Sequence, residues 1–208
     1  MKKVTPKGRV TGGKILDAAL DLFRTKGYDS ATMRDIAARA GVATGAAYRH
    51  YRSKDAIVMA YYRRTFDEMQ PEIHKLLEVP GGLERRTREL IRLKFKHFGP
   101  NRLVLRALLR NGADPKHPVS PFSKESKPLR DMEIGWFRQL LADDGLTTPS
   151  ELESHIPEVL WALHIGVIFF WIADDSPREA HTMRLLDQGM NTLTVLLRSP
   201  LRSVQEAS

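Results

Sequence analysis

The chain has 208 residues, a net charge of +8 and no cysteine. Its 42% hydrophobic and 28% charged residues are typical of globular proteins, so neither a disordered nor a fibrous chain is indicated. The lack of cysteine excludes disulfides, thiol nucleophiles and cysteine-ligated zinc, and it favours a reducing, cytoplasmic location. Because no apolar segment follows the basic start, we expect no signal peptide.

The positive charge is unevenly distributed along the chain. The first 54 residues carry 12 Lys or Arg and 4 Asp or Glu, which accounts for the whole excess of +8, and the charges of the remaining residues balance. A basic segment joined to a neutral one is typical of a domain that binds a polyanion. A solvated basic tail would give the same totals, so charge alone leaves both interpretations open.

Three short helices are predicted in this basic part. Apolar residues at helical spacing predict a first helix over residues 14–26, which Gly27 ends. Thr32 and Asp35 form a capping pair for a second helix that ends at Gly41. A third helix is expected to begin at Thr44, with its hydroxyl as the cap, and to reach about Tyr51. Two short helices around a glycine-containing turn predict a helix-turn-helix, whose second helix enters the DNA major groove by its N-terminal end.

The third helix carries the residue types that such a role requires. Gly45 and Ala46 are small, so the helix end can approach base edges closely. Ala47 and Tyr51, four residues apart, are expected to face inward. The hydrogen-bond donors and positive charges for phosphates are expected from Tyr48, Arg49, His50, Arg52 and Lys54.

The segment TMRDIAARAGVATGAAYRHYRSKDAI, residues 32–57, resembles the DNA-binding signature of the TetR family of bacterial transcriptional regulators. The matching elements include the Thr-x-Arg-Asp-Ile-Ala helix, the Ala-Gly-Val turn, a hydroxyl residue followed by glycine, and the Tyr-x-His-Tyr end. With the first helix and Gly27-Tyr28, the resemblance covers residues 11 to about 60. Several fixed residue types at fixed spacing make it specific.

The resemblance also implies roles for single residues. It implies that the side chains or backbone of Arg34, Thr44, Gly45 and Ala46 lie near base edges. It implies contacts to the sugar-phosphate backbone for Thr32, Tyr48, His50 and Lys54. Family members often have a bulkier or hydroxyl residue at the position of Ala46, so this chain retains methyl contact to thymine there and lacks a hydrogen bond.

Beyond residue 54 every predicted element is a helix. One long helix is expected over residues 54–77, bent at Pro71. Further helices are predicted over 83–98, 101–110, 122–141, 149–173 and 177–198, with a proline-rich loop at 112–121. The predicted fold is therefore all-α, with an N-terminal three-helix DNA-binding domain and a C-terminal helical bundle. The resemblance implies that this bundle serves ligand binding and dimerisation. The expected division is a mobile basic arm at 1–10, the helix-turn-helix domain at 11–54, the helical domain at 55–200 and a tail at 201–208.

The last two helices are the expected dimer interface. The run at residues 159–173 is apolar on every face, too short for a typical membrane span and interrupted by His164, so we expect a buried helix and no membrane partner. In the last helix, apolar residues alternate in steps of three and four, which is typical of helices packed side by side. An intrachain core is the alternative. The residues expected at the interface are Gly166, Phe170, Met183, Leu186, Met190, Leu193 and Leu197.

A ligand pocket inside the C-terminal bundle is implied by the resemblance alone. His97 and His164 are the expected polar anchors, although plain core packing explains the same residues. The candidate pocket residues are Phe95, His97, Phe98, Met132, Trp136, Trp161 and His164, with Phe137 and Phe169 as further apolar walls.

These observations lead to one main functional hypothesis and two alternatives. The main one is a homodimeric repressor that binds an inverted-repeat DNA operator and is released by a small apolar effector; it needs no cofactor or metal and is not an enzyme. The first alternative is a DNA-acting enzyme, for which the acidic pairs Asp143-Asp144 and Asp174-Asp175 are the candidate metal ligands, although turn formation also explains them. The second is a helical ligand-binding protein whose basic head binds DNA without sequence preference.

Overall fold

The computed structural model describes residues 6–143 and 155–198, and all regular structure in these ranges is helical. The predicted all-α fold is confirmed. The chain divides into two compact units. Unit 1 comprises Met1–Glu68 and His97–Arg130, and unit 2 comprises Met69–Lys96 and Asp131–Ser208. The predicted boundaries at residues 54 and 200 remain a prediction.

Unit 1 is built mainly on four helices and the first part of another. Its core contains the fully buried side chains of Ile15, Ile36, Ala47 and Ile57, which the helical spacing of apolar residues brings to the inner faces. The helices are α1 (Pro6–Thr25), α2 (Met33–Arg39), α3 (Thr44–His50), the first part of α4 (Lys54–Glu78) and α6 (Arg102–Ala113). Because α1 begins at Pro6, residues 6–10 are helical, whereas the sequence analysis assigned them to a mobile arm.

The ends of α2 follow the predicted local chemistry. The Thr32 hydroxyl accepts from the backbone N–H of Asp35 at 3.2 Å, and the Asp35 carboxylate accepts from the backbone N–H of Thr32 at 3.0 Å. Gly41 ends the helix with φ +67°, a left-handed conformation that glycine adopts without strain. The capping pair therefore fixes the start of α2, and Gly41 allows the tight turn to α3.

Two local predictions were wrong. The Thr44 hydroxyl does not cap α3, because the N-cap residue is Ala43 and Thr44 is already the first helical residue. The helix predicted to begin at residue 122 begins instead at Lys127, as α7 (Lys127–Asp143). Before it, the Ser123 hydroxyl accepts from the backbone N–H of Ser126 at 3.1 Å and so holds the chain in turns that compete with a helix.

Unit 2 contains the remaining helices. These are the second part of α4, which continues through Pro71, α5 (Leu83–Phe98) as far as Lys96, α7 from Asp131 onward, α8 (Ile156–Ala173) and α9 (Ala180–Arg198). The carboxylate of Asp174, at the end of α8, accepts from the backbone N–H and the hydroxyl of Thr182 at 2.8 and 2.7 Å. This contact ties the end of α8 to the first turn of α9.

By length and composition, helix α8 is apolar enough to cross a membrane, with a mean hydropathy of 1.8, and 39% of this segment is buried inside the chain. We expected burial on every side. In the single chain one face remains exposed, and it carries Val159, Leu163 and Phe170.

Candidate DNA-reading surface and buried polar cluster

The outward face of α3 presents most of the residues that the sequence analysis selected. Thr44, Gly45, Tyr48 and Arg49 are exposed, and Tyr48 exposes 50% of its surface although it is aromatic. Arg34, on α2, is exposed as well. We name this set, together with Ala46, His50 and Arg52, the reading surface. Its composition matches the donors and small residues that approach a DNA groove.

The opposite side of α3 holds the helix in place. Ala47 is fully buried, as predicted. The Tyr51 hydroxyl donates to the backbone carbonyl of Gly12 in α1 at 3.2 Å. Because Ala47 and Tyr51 fix one face of α3 against unit 1, the residues of the reading surface point away from the core.

Three ion pairs of unit 1 join residues that are not part of the reading surface. Asp17 binds Arg64 at 2.6 Å, Asp35 binds Lys26 at 2.6 Å, and Asp21 pairs with Arg39. Within the described part of the chain, no carboxylate pairs with the arginines of the reading surface, Arg34, Arg49 and Arg52. Asp17, Asp21 and Asp35 thus pair with other basic residues of unit 1, and the positive charges of Arg34, Arg49 and Arg52 can attract a polyanion such as a phosphate backbone.

The start of α4 is bonded to the turn after α1. The Lys54 ammonium donates to the backbone carbonyls of Tyr28 at 2.6 Å and Asp29 at 3.1 Å, and it lies 4.6 Å from the centre of the Tyr28 ring. The Tyr28 hydroxyl donates to Asp55, and burial followed by this contact raises the pKa of Tyr28 well above its usual range. Lys54 was expected at a phosphate. Two of its three donors hold unit 1 together instead, which leaves one for DNA.

The seven candidate pocket residues are divided between the two units, and their role as a pocket remains a prediction. Phe98 belongs to unit 1, where its ring lies 5.7 to 6.2 Å from the rings of Tyr61, Tyr62 and Phe66. His97 also belongs to unit 1 and is half-buried. The five others belong to unit 2, where Met132 is half-buried and four are buried: Phe95, Trp136, Trp161 and His164.

His164 is part of a buried polar cluster that also contains Lys94, Glu133 and Trp161. Each of the four exposes 5% of its surface or less. The Lys94 ammonium pairs with one oxygen of Glu133, and the indole N–H of Trp161 donates to the other at 2.8 Å. Lys94 Nζ also lies 2.8 Å from Nε2 of His164, whose Nδ1 lies 3.1 Å from the carbonyl oxygen of Trp161. Helices α5, α7 and α8 each contribute to the cluster.

The protonation states follow from these partners and from burial. Burial, and after it the charge of Lys94, lowers the pKa of His164 well below its usual value, so the ring is neutral near pH 7. Since Nε2 faces an ammonium, it accepts, and Nδ1–H donates to Trp161. Burial also lowers the pKa of Lys94, while the carboxylate of Glu133 favours the charged ammonium.

Trp161 and His164 were predicted from the sequence, whereas Lys94 and Glu133 were not. The sequence does contain a signal for Lys94. Lys94 lies between Leu90 and Phe98 on the apolar face of α5, four residues from each, where a charged side chain breaks the pattern. A charged residue at a core-facing position indicates a buried polar contact, because an unpaired buried charge is strongly unfavourable.

One residue of the acidic pairs considered for a metal-dependent enzyme, Asp174, has a structural explanation. The side chain of Ser176, followed by the hydroxyl of Thr182 and the backbone N–H groups of both residues, lowers the pKa of Asp174 well below the usual range. Asp174 therefore ends a helix and shapes a turn. Asp144 and the side chain of Asp143 lie outside the described residues. Within those residues, no three His, Asp or Glu side chains form a group that could hold a metal ion.

The chain also matches a known protein family. Residues 15–61 match the family described as "Bacterial regulatory proteins, tetR family", and residues 87–207 match "Tetracyclin repressor-like, C-terminal domain". The chain is 34% identical to the transcriptional repressor KstR2 of Rhodococcus jostii over 80% of this chain and 67% of that protein. It is 31% identical to the transcriptional activator FasR of Mycolicibacterium smegmatis over 79% of this chain and 74% of that protein.

A solved structure agrees with the fold. FadR of Thermus thermophilus, a TetR-family repressor in complex with lauroyl-CoA, superposes with a TM-score of 0.60 at 20% identity, covering 95% of this chain and 99% of that one. The two matched segments together span both the reading surface and most of the helical bundle. The chain therefore belongs to the TetR family of bacterial regulatory proteins and is a helix-turn-helix transcriptional regulator.

Proposed function

We propose that the chain is a homodimeric repressor that binds an inverted-repeat operator through the reading surface and is released by a small, largely apolar effector. The observation that carries the proposal is the exposed face of α3, where Gly45, Tyr48 and Arg49 are open to solvent and the neighbouring acidic residues are paired elsewhere. Repression is supported by the likeness to KstR2. The likeness to FasR keeps activation as the alternative.

Dimerisation is supported by exposed apolar surface on α8 and α9. Val159, Leu163, Gly166 and Phe170 recur in steps of four and three residues and so form one stripe along α8. Val159 and Leu163 each expose 52% of their surface. Contiguous apolar surface of this kind is typical of an interface with another chain.

Two of the α9 residues expected at the dimer interface are buried within the single chain. Leu186 and Met190 expose 1% and 6% of their surface, so they belong to the core of unit 2, and Met183 is half-buried. The side chains of Leu193 and Leu197 lie outside the described residues. We propose instead the exposed face of α9 that carries Leu185 and Gly189, four residues apart.

An apolar effector is supported by the aromatic interior of unit 2. Phe95 and Trp171 stack with ring centres 4.7 Å apart, and Phe137 lies 5.5 Å from the ring of His164. The Thermus thermophilus FadR complex contains lauroyl-CoA, a ligand with a long apolar chain. By binding one arrangement of the bundle more tightly than another, such an effector would shift the two reading surfaces relative to their half-sites.

The proposal is tested by selecting bound fragments from sheared bacterial DNA at about 0.15 M salt and footprinting the best of them. We expect an inverted repeat whose half-sites are about one helical turn or slightly more apart. Fragments with no shared sequence, bound with an affinity that depends on salt alone, would leave the reading surface as a non-specific anchor and contradict the proposal.

A further inference from the structure

The Glu133 carboxylate occupies a site whose donors come from other helices. Lys94 on α5 binds one of its oxygens, and Trp161 on α8 binds the other at 2.8 Å. Two directed donors, one for each oxygen, match the two acceptor oxygens of a carboxylate. All three side chains are buried, so the two donors bind the carboxylate away from water.

Stability alone does not require this arrangement. A buried ion pair is often no more stabilising than apolar side chains of similar volume, because both ions lose their hydration. The surroundings are apolar and aromatic, with Phe137 against His164 and Phe95 against Trp171. A charged pair in such a place indicates a role in recognition.

We infer that the buried polar cluster is the recognition site for an effector that carries a carboxylate on an apolar body, and that the effector carboxylate replaces Glu133 between Lys94 and Trp161. The exchange substitutes one carboxylate for another. It therefore leaves no buried cation unpaired, and the displaced Glu133 regains water.

This replacement also couples binding to a change of structure. Glu133 belongs to α7, whereas Lys94 and Trp161 belong to α5 and α8. An effector that takes the donors removes the ion pair that connects α7 to the other two helices. The effector thus favours an arrangement in which α7 has moved, and this differential affinity is what an effector needs to alter DNA binding. The coupling to DNA rests on the proposed function, whereas the carboxylate site itself does not.

Isothermal titration calorimetry on the full chain, without DNA, tests the site. The probes are octanoate, decanoate, benzoate and phenylacetate, each compared with its methyl ester. We expect at least one carboxylate to bind and its ester to bind about tenfold to a hundredfold more weakly, since the ester lacks a charge-assisted hydrogen bond. Failure of all four carboxylates, or equal binding of acid and ester, would overturn the inference.

Variants of the buried polar cluster test whether the carboxylate probe binds there. Lys94→Met alone leaves Glu133 buried and unpaired, so the double variant Lys94→Met/Glu133→Leu, which removes both charges, is the form expected to fold. It should bind the carboxylate about tenfold to a hundredfold more weakly than the native chain. The matched control is Lys96→Met on the same helix, whose ammonium pairs with Glu72 at 2.7 Å on the surface and whose loss should change affinity less than about twofold.

A second measurement does not depend on the apolar body of the probe. Glu133→Ala vacates the position between the donors and leaves the Lys94 ammonium unpaired, so this variant should be less stable than the native chain. Acetate can fill the vacated position, so it should raise the melting temperature of this variant more than chloride at equal ionic strength, and native protein should show no such difference. An equal effect of both salts on the variant would overturn the carboxylate site. Carboxylate binding that leaves the affinity for a selected operator unchanged would overturn the effector role, whereas failure to select any operator would count against the proposed function.

Discussion

Gly45 is the second residue of α3. Neither the backbone conformation nor the packing at this position requires glycine. Its φ is not positive, and a Cβ built there meets nothing within 4 Å. Gly45→Ala should therefore raise the free energy of unfolding by up to about 1 kcal/mol, because alanine favours helix more than glycine does. It should weaken operator binding by about 1 to 3 kcal/mol, because the methyl group would overpack a close contact to DNA. Urea unfolding and fluorescence anisotropy measure the two effects.

The control for this substitution is Gly135→Ala in α7, another helical glycine at which an added Cβ meets nothing within 4 Å. It should stabilise the chain and leave operator affinity unchanged. If Gly45→Ala bound the operator as tightly as the native chain, the backbone at residue 45 would not lie close to DNA.

At the scale of one helix, the threonines at the starts of α2 and α3 differ in their contacts. Thr32 caps α2, whereas Thr44 is the first residue of α3 and makes no cap bond. Thr32→Ala should lower the free energy of unfolding by about 1 kcal/mol, and Thr44→Ala should change it by less than about 0.5 kcal/mol. Both should weaken operator binding, measured by anisotropy, if both hydroxyls contact DNA. Equal loss of stability in the two variants would contradict the assignment of the cap.

The cap of α2 also predicts a pH dependence. The side chain of Lys26, followed by the backbone and hydroxyl of Thr32, lowers the pKa of Asp35 from 3.8 to about 2. Because the pKa is depressed in the folded chain, the stabilisation is fully present above about pH 4 and is lost as the pH falls through about 2. The stability difference between the native chain and Asp35→Asn, from urea unfolding at each pH, should be constant from pH 7 to 5 and shrink below 4. A difference independent of pH down to 2 would exclude this linkage.

At the scale of the whole molecule, the proposed dimer places an exposed leucine of α8 at the subunit interface. Leu163→Glu would bury a charge there and should give a monomer in sedimentation velocity. Affinity for the full inverted repeat should fall by about a hundredfold or more, because the two half-sites are then no longer bound by linked reading surfaces. Binding to a single half-site should be unchanged.

Leu103→Glu is the matched control for the dimer. Leu103 lies on α6 in unit 1 and exposes 69% of its surface, more than Leu163 does. This variant should remain a dimer with unchanged operator affinity. Loss of the dimer in both variants would indicate that general solubility or stability, and not the α8 surface, sets the oligomeric state.

The amino-acid sequence by itself determined the features that depend on near neighbours in the chain. The capping pair of α2, the left-handed Gly41, and the bounds of α4 and α5 were predicted to within a residue or two. These features could be predicted because capping, turn conformation and helical periodicity act over at most a few residues. The DNA-binding motif could be predicted for the same reason, since its residues lie on two short helices joined by one turn.

Only the tertiary structure decided which charged and apolar side chains are buried. Periodicity identified the Leu186 and Met190 stripe on α9, but its direction toward the chain's own core depends on packing against other helices. The pairing of Lys94 with Glu133 joins residues 39 positions apart, and that of Lys94 with His164 joins residues 70 apart. No local pattern specifies such pairs, because they form only when separate helices meet and exclude water between them.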